Sequence, residues 1–213
     1  IASAIGAAFA GDFAITTTSG PGLALKSEAL GLAIMTELPL VVVDVQRGGP
    51  STGLPTKTEQ SDLNQALFGR NGECPVIVIA GSTPSNCFDY AYLACKLAME
   101  HMTPVVLLTD GYIANGAGPW KIKSTSDLAD IKPPHADINN EDWMPYQRNP
   151  ESLAREWALP GTPGLEHRVG GLEKDSVTGN VNQAPENHQK MTEIRAEKIK
   201  RVQNNIPEIE TEF

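Results

Sequence analysis

The sequence predicts an α/β protein with a doubly wound, mostly parallel sheet, and three observations support this fold class. The central β-rich runs, LVVVDV and PVVLLT, are apolar almost throughout, as strands covered on both faces must be. Segments with helical spacing separate successive runs, which is typical of parallel sheets. The runs are also short, and they occupy residues 13–18, 40–45, 75–80 and 104–109.

Helices are expected between these strands. Apolar side chains recur every three or four positions over 21–37 and again over 86–102, which predicts one helix after the first strand and another after the third. Ser85 is the expected N-cap of the second of these helices. Shorter helices are expected over 1–11 and 61–68.

The second part of the chain differs in composition from the first. The first 115 residues carry 10 acidic and 5 basic side chains, whereas the rest carries 16 and 12 and is rich in proline. We therefore expect an α/β domain over 1–118 and a long irregular arm over 119–213. The arm should include a charged amphipathic helix that begins at Pro185, followed by the acidic end IPEIETEF, which has no obvious fold.

Composition also narrows the range of partners. A formal net charge of −9 offers no basic surface for a phosphate backbone, so nucleic acid is not an expected partner. The sequence contains no run of 18 apolar residues, so it predicts no membrane-spanning helix. Cys74, Cys87 and Cys95 are too scattered for a zinc or iron–sulfur site and fit a reducing compartment, so we expect a cytoplasmic protein without a metal site in this chain.

Two loops follow predicted strands at the edge of the sheet where α/β proteins bind ligands. The first consists of Thr18, Ser19, Gly20, Pro21 and Gly22. Its glycines permit a close approach of the backbone, and its proline suits a first helical turn. The pattern fits a ligand-binding loop and a plain strand-to-helix turn equally well.

The second loop, residues 46–58, reads QRGGPSTGLPTKT and is too long and too rich in proline for a simple turn. Arg47 stands where the strand ends, and a guanidinium there can bind a carboxylate or phosphate through two parallel hydrogen bonds. The alternative is a structural ion pair between Arg47 and Asp44 or Glu59. We favour a site for a small anion.

Two stretches carry a resemblance to a known family. Residues 16–63, TTTSGPGLALKSEALGLAIMTELPLVVVDVQRGGPSTGLPTKTEQSDL, closely resemble the α subunit of 2-oxoacid:ferredoxin oxidoreductases, particularly the 2-oxoglutarate type. A second match is ALPGTPGLEHRVGGLEKDSVTGN, followed by PENHQKM. Both stretches are long, and together with the segments between them they cover most of the chain.

The resemblance implies a thiamine diphosphate enzyme that decarboxylates a 2-oxoacid to an acyl-coenzyme A and passes electrons to ferredoxin. It implies that this chain is the pyrimidine-side domain of the thiamine diphosphate fold. A β subunit would bind the diphosphate with Mg²⁺ and carry an iron–sulfur cluster, with or without a γ subunit. Asp110–Gly111 and the later Asn139–Asn140 only loosely imitate the magnesium motif of thiamine enzymes, so no such site is expected here.

The resemblance also implies roles for the two loops. Arg47 should bind the carboxylate of the 2-oxoacid, Thr56 should help to position that substrate, and residues 18–22 should line the pyrimidine side of the cofactor. The family's glutamate for the pyrimidine ring is expected upstream of Ile1, and a further α/β domain is expected beyond Phe213, so the fragment alone should be inactive. Two alternatives remain: a non-catalytic assembly domain, or another thiamine enzyme of the transketolase or acetolactate synthase kind.

Overall fold

Four apolar, β-branched runs form one parallel sheet in the computed structural model, which describes residues 1–208. They lie in the spatial order β1-β2-β4-β3, and every neighbouring pair is parallel. The predicted α/β fold class is confirmed, and each predicted strand is found with small shifts at its ends. The strands are β1 (Ile15–Thr18), β2 (Leu40–Gln46), β3 (Ile77–Ala80) and β4 (Pro104–Asp110).

β2 and β4 form the centre of the sheet. They pair along their whole length, from Leu40 opposite Pro104 to Gln46 opposite Asp110, and both are almost completely buried. The carboxyl end of β1 lies beside them, because Thr18 pairs with Asp44. Because all neighbouring strands are parallel, all four end along one edge of the sheet, and the loops that follow β1 and β2 meet there.

Seven α-helices accompany the sheet in the described residues, and the helix expected from Pro185 is confirmed. The helix expected over 21–37 is divided at Lys26, whose backbone (φ −118°, ψ 15°) leaves the helical region. The helices are α1 (Ala2–Ala10), α2 (Gly20–Leu25), α3 (Ser27–Thr36), α4 (Leu63–Phe68), α5 (Cys87–His101), α6 (Gly111–Asn115) and α7 (Pro185–Arg201).

The N-terminus of α5 differs from the prediction. A 3-10 turn, Pro84–Asn86, precedes the helix, and the side chain of Thr83 accepts the hydrogen bond from the Asn86 N–H at 3.3 Å. The proline suits the first position of that turn, so the capping role falls on the residue before it. Ser85 is therefore not the N-cap, and its Oγ donates instead to the Pro119 carbonyl at 2.9 Å.

Apolar clusters on both faces of the sheet make the arrangement doubly wound. Buried side chains of α2, α3 and α4 pack on one face, and those of α5 pack on the other. The first cluster includes Leu23, Leu30, Ile34, Val42, Ala66 and Leu108. The second includes Val41, Ile77, Ala94, Leu97, Val105 and Leu107.

The irregular segment between α6 and α7 packs against the α/β part of the chain. Trp157 and Ala154 are buried against Met102, just beyond α5. The indole N–H of Trp157 donates to the Ala8 carbonyl of α1 at 3.2 Å. The segment is therefore attached to the α/β part of the chain through α1 and the residue that follows α5. A domain boundary at residue 118 stays a prediction.

One buried acid joins three segments of the chain. Glu37, at the C-terminal end of α3, accepts hydrogen bonds from Arg148 of the irregular segment and from Lys198 of α7, each at 2.8 Å. All three side chains are almost completely buried. Burial alone would raise the pKa of Glu37, but the two cations hold it well below its ordinary value.

Among the described helices, none is both long enough and apolar enough to cross a membrane. Residues 209–213, the last five of the acidic end, lie outside the described part of the chain. The prediction that this end has no fold of its own falls largely on them.

Candidate functional site

The two predicted loops lie side by side at the carboxyl edge of the sheet. The first loop leads into α2, and the second follows β2 directly. Together they border a cleft of about 600 Å³. Its lining includes Gly20 and Pro21 from the first loop, Arg47, Gly49, Pro50 and Ser51 from the second, and Glu59, Asp62 and Gln65 from the segment that follows.

The first loop brings backbone close to neighbouring polar side chains. A β-carbon at Gly20 would lie 2.5 Å from Asp62 Oδ2, so only glycine fits there without moving the carboxyl group. A β-carbon at Gly22 would lie 1.8 Å from Thr18 Oγ1, which itself donates to the Ser19 carbonyl at 3.3 Å. The glycines are therefore required by contacts, and this loop forms one wall of the cleft.

Hydrogen bonds hold the half-buried Arg47 side chain, and no carboxylate among residues 1–208 pairs with it. Its Nε donates to Ser19 Oγ at 3.3 Å, and its Nη1 donates to the Thr52 carbonyl at 2.7 Å. Neither Asp44 nor Glu59 pairs with it, and Glu59 accepts from a backbone N–H of the loop instead. Among the described residues, Nη2 of the guanidinium has no acceptor. One edge of this cation is therefore open to a ligand.

The loop after β2 is held in shape by its own backbone. The Gly48 N–H donates to the Lys57 carbonyl at 2.8 Å, and the Leu54 N–H donates to the Gly48 carbonyl at 2.9 Å. Gly53 has φ 26°, and a β-carbon there would lie 2.7 Å from the carbonyl of Gly49. These hydrogen bonds restrain the backbone of the loop, so the position of Arg47 at its start is also restrained.

Thr56 is situated differently from Arg47. It lies in the turn between Leu54 and Lys57, exposed to solvent, and it is not among the residues that line the cleft. The structure thus brings Arg47 together with the first loop and leaves Thr56 outside. The role of Thr56 stays a prediction.

A pair of acids beneath the cleft was not predicted. Asp44 is completely buried on β2, and Asp62 lines the cleft just before α4. Burial, the charge of Asp62 and a hydrogen bond with it raise the pKa of Asp44 to about 7. Burial also raises the pKa of Asp62, against the hydrogen bond with Asp44 and the charge of Arg47. The available sequence signal is an aspartate inside the apolar run LVVVDV.

Asp110 closes the edge of the sheet beside these acids. Its Oδ1 accepts from the N–H groups of Tyr112 (2.7 Å) and Ile113 (2.9 Å), and its Oδ2 accepts from Gln60 at 2.6 Å. Burial acts to raise the pKa of Asp110, but these hydrogen bonds hold it below its ordinary value. Within residues 1–208, no group of three or more histidines, cysteines or acids is arranged to hold a metal ion.

Open α/β sheets commonly bind ligands at the carboxyl ends of their strands, and the cleft found there in this chain has a glycine-rich wall and an arginine at a strand end. The chain belongs to the pyruvate flavodoxin/ferredoxin oxidoreductase family, and residues 1–192 match its thiamine diphosphate-binding domain. The family predicted from the two sequence stretches is thereby confirmed. An enzyme of the transketolase or acetolactate synthase kind is not supported.

Curated relatives point to a particular branch of this family. The 2-oxoglutarate oxidoreductase subunit KorA of Mycobacterium tuberculosis is 54% identical over 212 residues, which are 100% of this chain and 32% of that protein. The 2-oxoglutarate synthase subunit KorA of Methanothermobacter thermautotrophicus is 33% identical over 220 residues, covering 100% of this chain and 56% of that protein. The chain thus spans about a third to a half of the length of these relatives.

A solved structure gives the same result for the fold. The 2-oxoglutarate:ferredoxin oxidoreductase from Magnetococcus marinus, with 2-oxoglutarate, coenzyme A and succinyl-CoA bound, superposes with a TM-score of 0.88 at 39% identity. The match covers 97% of this chain and 36% of that chain. These two relatives and this solved structure are therefore all named as enzymes, or subunits of enzymes, that act on 2-oxoglutarate or form it.

Proposed function

We propose that this chain is the pyrimidine-side part of the α subunit of a 2-oxoglutarate:ferredoxin oxidoreductase. The complete enzyme would decarboxylate 2-oxoglutarate oxidatively to an acyl-coenzyme A and pass the electrons to ferredoxin. The observation that carries this proposal is the geometry of Arg47, a half-buried cation in a cleft beside the glycine-rich loop, with one edge of its guanidinium unoccupied.

Arg47 would bind the carboxylate next to the keto group of the substrate. A planar guanidinium matches a carboxylate through two parallel hydrogen bonds, and its Nη2 edge has no acceptor in the described chain. Ser19 and Thr52 fix the side chain before any ligand binds, so the side chain would lose little conformational freedom on binding. Such a grip would hold the keto carbon in a defined position for reaction.

The charges in the cleft suit a neutral pyrimidine ring and one carboxylate. Among the described residues that line the cleft, Arg47 is the one cation, whereas Glu59 and Asp62 are both acids. A diphosphate would be repelled there, so we assign the diphosphate and its Mg²⁺ to a β subunit. Because the three cysteines of this chain are too scattered for an iron–sulfur cluster, we assign the cluster to that subunit as well, with or without a γ subunit. When bound, thiamine diphosphate supplies the carbon nucleophile for decarboxylation. The wall that Gly20 and Pro21 form is the part of this chain that would face its pyrimidine.

Two further assignments belong to the same proposal. Thr56 would lie beside the bound substrate, because it stands on the same loop as Arg47. The enzyme would work in the cytoplasm, which is where three unbridged cysteines are expected to stay reduced.

The proposal is tested with the full-length subunit purified together with its β subunit. Ferredoxin reduction is measured with coenzyme A and with 2-oxoglutarate, pyruvate or a branched 2-oxoacid in turn. We expect turnover, with the highest kcat/KM for 2-oxoglutarate. Arg47→Ala should raise the KM for the oxoacid roughly 30-fold, as expected for loss of a charged hydrogen-bonded pair of about 2 kcal/mol.

Lys57→Ala is the matched control, because it removes an exposed cation from the same loop. Its KM should stay within about threefold of the wild-type value. An unchanged KM in Arg47→Ala would contradict the assigned role of that residue. A folded complex that turns over none of the oxoacids would instead favour the non-catalytic assembly domain.

A further inference from the structure

We propose that Asp44 and Asp62 share a single proton, and that loss of this proton weakens binding of the substrate carboxylate at Arg47. The inference rests on the proposed role of Arg47 as the carboxylate site. It assigns a function to two acids that the reaction itself does not require.

Asp44 occupies an environment that an ionised carboxylate does not tolerate alone. It follows Leu40 and Val42 on the face of β2 that packs against α2, α3 and α4, and its exposed fraction is 0%. Among the described residues, neither of its carboxyl oxygens has a hydrogen-bond donor. A buried carboxyl group without donors is expected to keep a proton of its own.

Asp62 is the partner that this proton can reach. A hydrogen bond between the two carboxyl groups is among the influences on the pKa of both residues. Asp62 is fixed because its backbone N–H donates to Gln46 Oε1 at 3.0 Å, and because Gly20 has no β-carbon to displace it. Its Oδ2 also lacks a donor in the described chain, so a proton between the two acids is what satisfies them.

Among residues 1–208, the charged groups near this pair are few, and Asp110 at the same edge of the sheet is held by its own hydrogen bonds. Thr18 of β1 and Leu108 of β4 flank Asp44 in the sheet, and neither is ionisable near neutral pH. Glu59 acts on Asp62 by raising its pKa, and Arg47 acts by lowering it. The pKa of Asp44 is raised to about 7. Around neutral pH the pair therefore passes from one shared proton to none as the pH rises through about 7.

The protonation state of the pair changes the field at the anion site. With one proton, the two acids carry a single negative charge, which the guanidinium of Arg47 balances. Without it they carry two, and the excess charge lies beside the edge of the cleft where an anionic substrate must bind. We expect the KM for a 2-oxoacid to rise roughly tenfold as the pH passes through about 7, because a nearby like charge opposes binding.

The experiment measures kcat and KM for 2-oxoglutarate between about pH 6 and about pH 9 in the full-length complex. The wild type should show the rise in KM with a smaller change in kcat. Asp44→Asn should keep a low, flat KM, because its amide donates to Asp62 and cannot lose a charge-bearing proton. Asp62→Asn should move the rise to lower pH, because one influence that opposes ionisation of Asp44 is gone. Asp12→Asn, an exposed acid, is the matched control and should keep the wild-type profile.

A rise in KM that is identical in Asp44→Asn and in the wild type would overturn the proposal. A second measurement does not depend on turnover: infrared difference spectra of the full-length subunit near pH 6 should contain the C=O band of a protonated carboxyl that Asp44→Asn lacks. Failure to find that band would also overturn the proposal. A complex that turns over no 2-oxoacid would refute the proposed function, and the infrared band would still decide whether the proton is shared.

Discussion

Lys198 Nζ lies 2.8 Å from Glu37 Oε2, so a buried ion pair fastens the last helix to the end of α3. Arg148 contacts the other oxygen of the same carboxylate. The two cations come from positions 161 and 111 residues further along the chain. Removal of this acid would leave two buried cations without their partner, which is among the more costly single changes in a protein interior.

Glu37→Gln should therefore lower the free energy of unfolding by about 3–5 kcal/mol. The glutamine keeps the size of the side chain but cannot neutralise Arg148 and Lys198. Urea denaturation of the 213-residue chain provides the measurement. Glu193→Gln, at an exposed position of α7, is the matched control and should change stability by less than about 0.5 kcal/mol. Equal stability of the two variants would show that the ion pair contributes little.

The same acid predicts how stability depends on pH. The pKa of Glu37 is lowered in the folded chain from an ordinary value of 4.5, so its contribution is fully present above that value and is lost as the pH falls below it. The slope expected for one such group is about 1.4 kcal/mol per pH unit. Urea denaturation at several pH values should show the stability gap between wild type and Glu37→Gln narrowing below about pH 4. A gap that stays constant down to about pH 3 would contradict the assignment.

Gly20→Ala tests the contact between the first loop and the acid pair. A β-carbon there would lie 2.5 Å from a carboxyl oxygen of Asp62, which is buried and cannot retreat easily. We expect a loss of about 1–3 kcal/mol in the free energy of unfolding, as for other overpacked sites. The matched control is Gly6→Ala, within α1, where a β-carbon would meet nothing within 4 Å. That change should instead stabilise by about 0.5–1 kcal/mol.

Trp157→Ala tests how firmly the irregular segment is attached. The side chain is 3% exposed, packs with Met102 and donates to the Ala8 carbonyl. Its removal should cost about 3–5 kcal/mol, measured by urea denaturation with circular dichroism. Trp120→Ala, where the side chain is 43% exposed, should cost less than about 1 kcal/mol. Similar losses in both variants would mean that the buried contacts of Trp157 are not what fastens the segment.

The fold was largely predictable because its signals are local. A strand covered on both faces needs continuous apolar residues, and β2 and β4 have them in the sequence itself. The sequence-based predictions are wrong where the local backbone geometry overrides the general preference of a residue type for a helix or a helix cap. Ser85 is a good capping residue, yet the 3-10 turn before α5 gives the cap to Thr83. Lys26 carries no sequence signal for the interruption that it makes between α2 and α3.

The site was predictable only in part. The position of Arg47 at the cleft could be predicted because a strand end and a long loop mark it in the sequence, whereas its role stays a prediction. Asp62 was missed, since its contact with Asp44 depends on how the intervening loop returns to the sheet, and nothing near Asp62 encodes that path. The partners of Glu37 were missed for the same reason, because more than a hundred residues separate them from it.

The position of Glu37 has a consequence for protein engineering. A cut within the exposed stretch 116–124 would leave this acid on one fragment and both of its cations on the other. Separation of the fragments would expose these three charges to water, whereas reassembly would pair them again in the interior. The chain therefore offers a starting point for a split-protein reporter, in which this cluster of ion pairs is one of the contacts that join the two pieces.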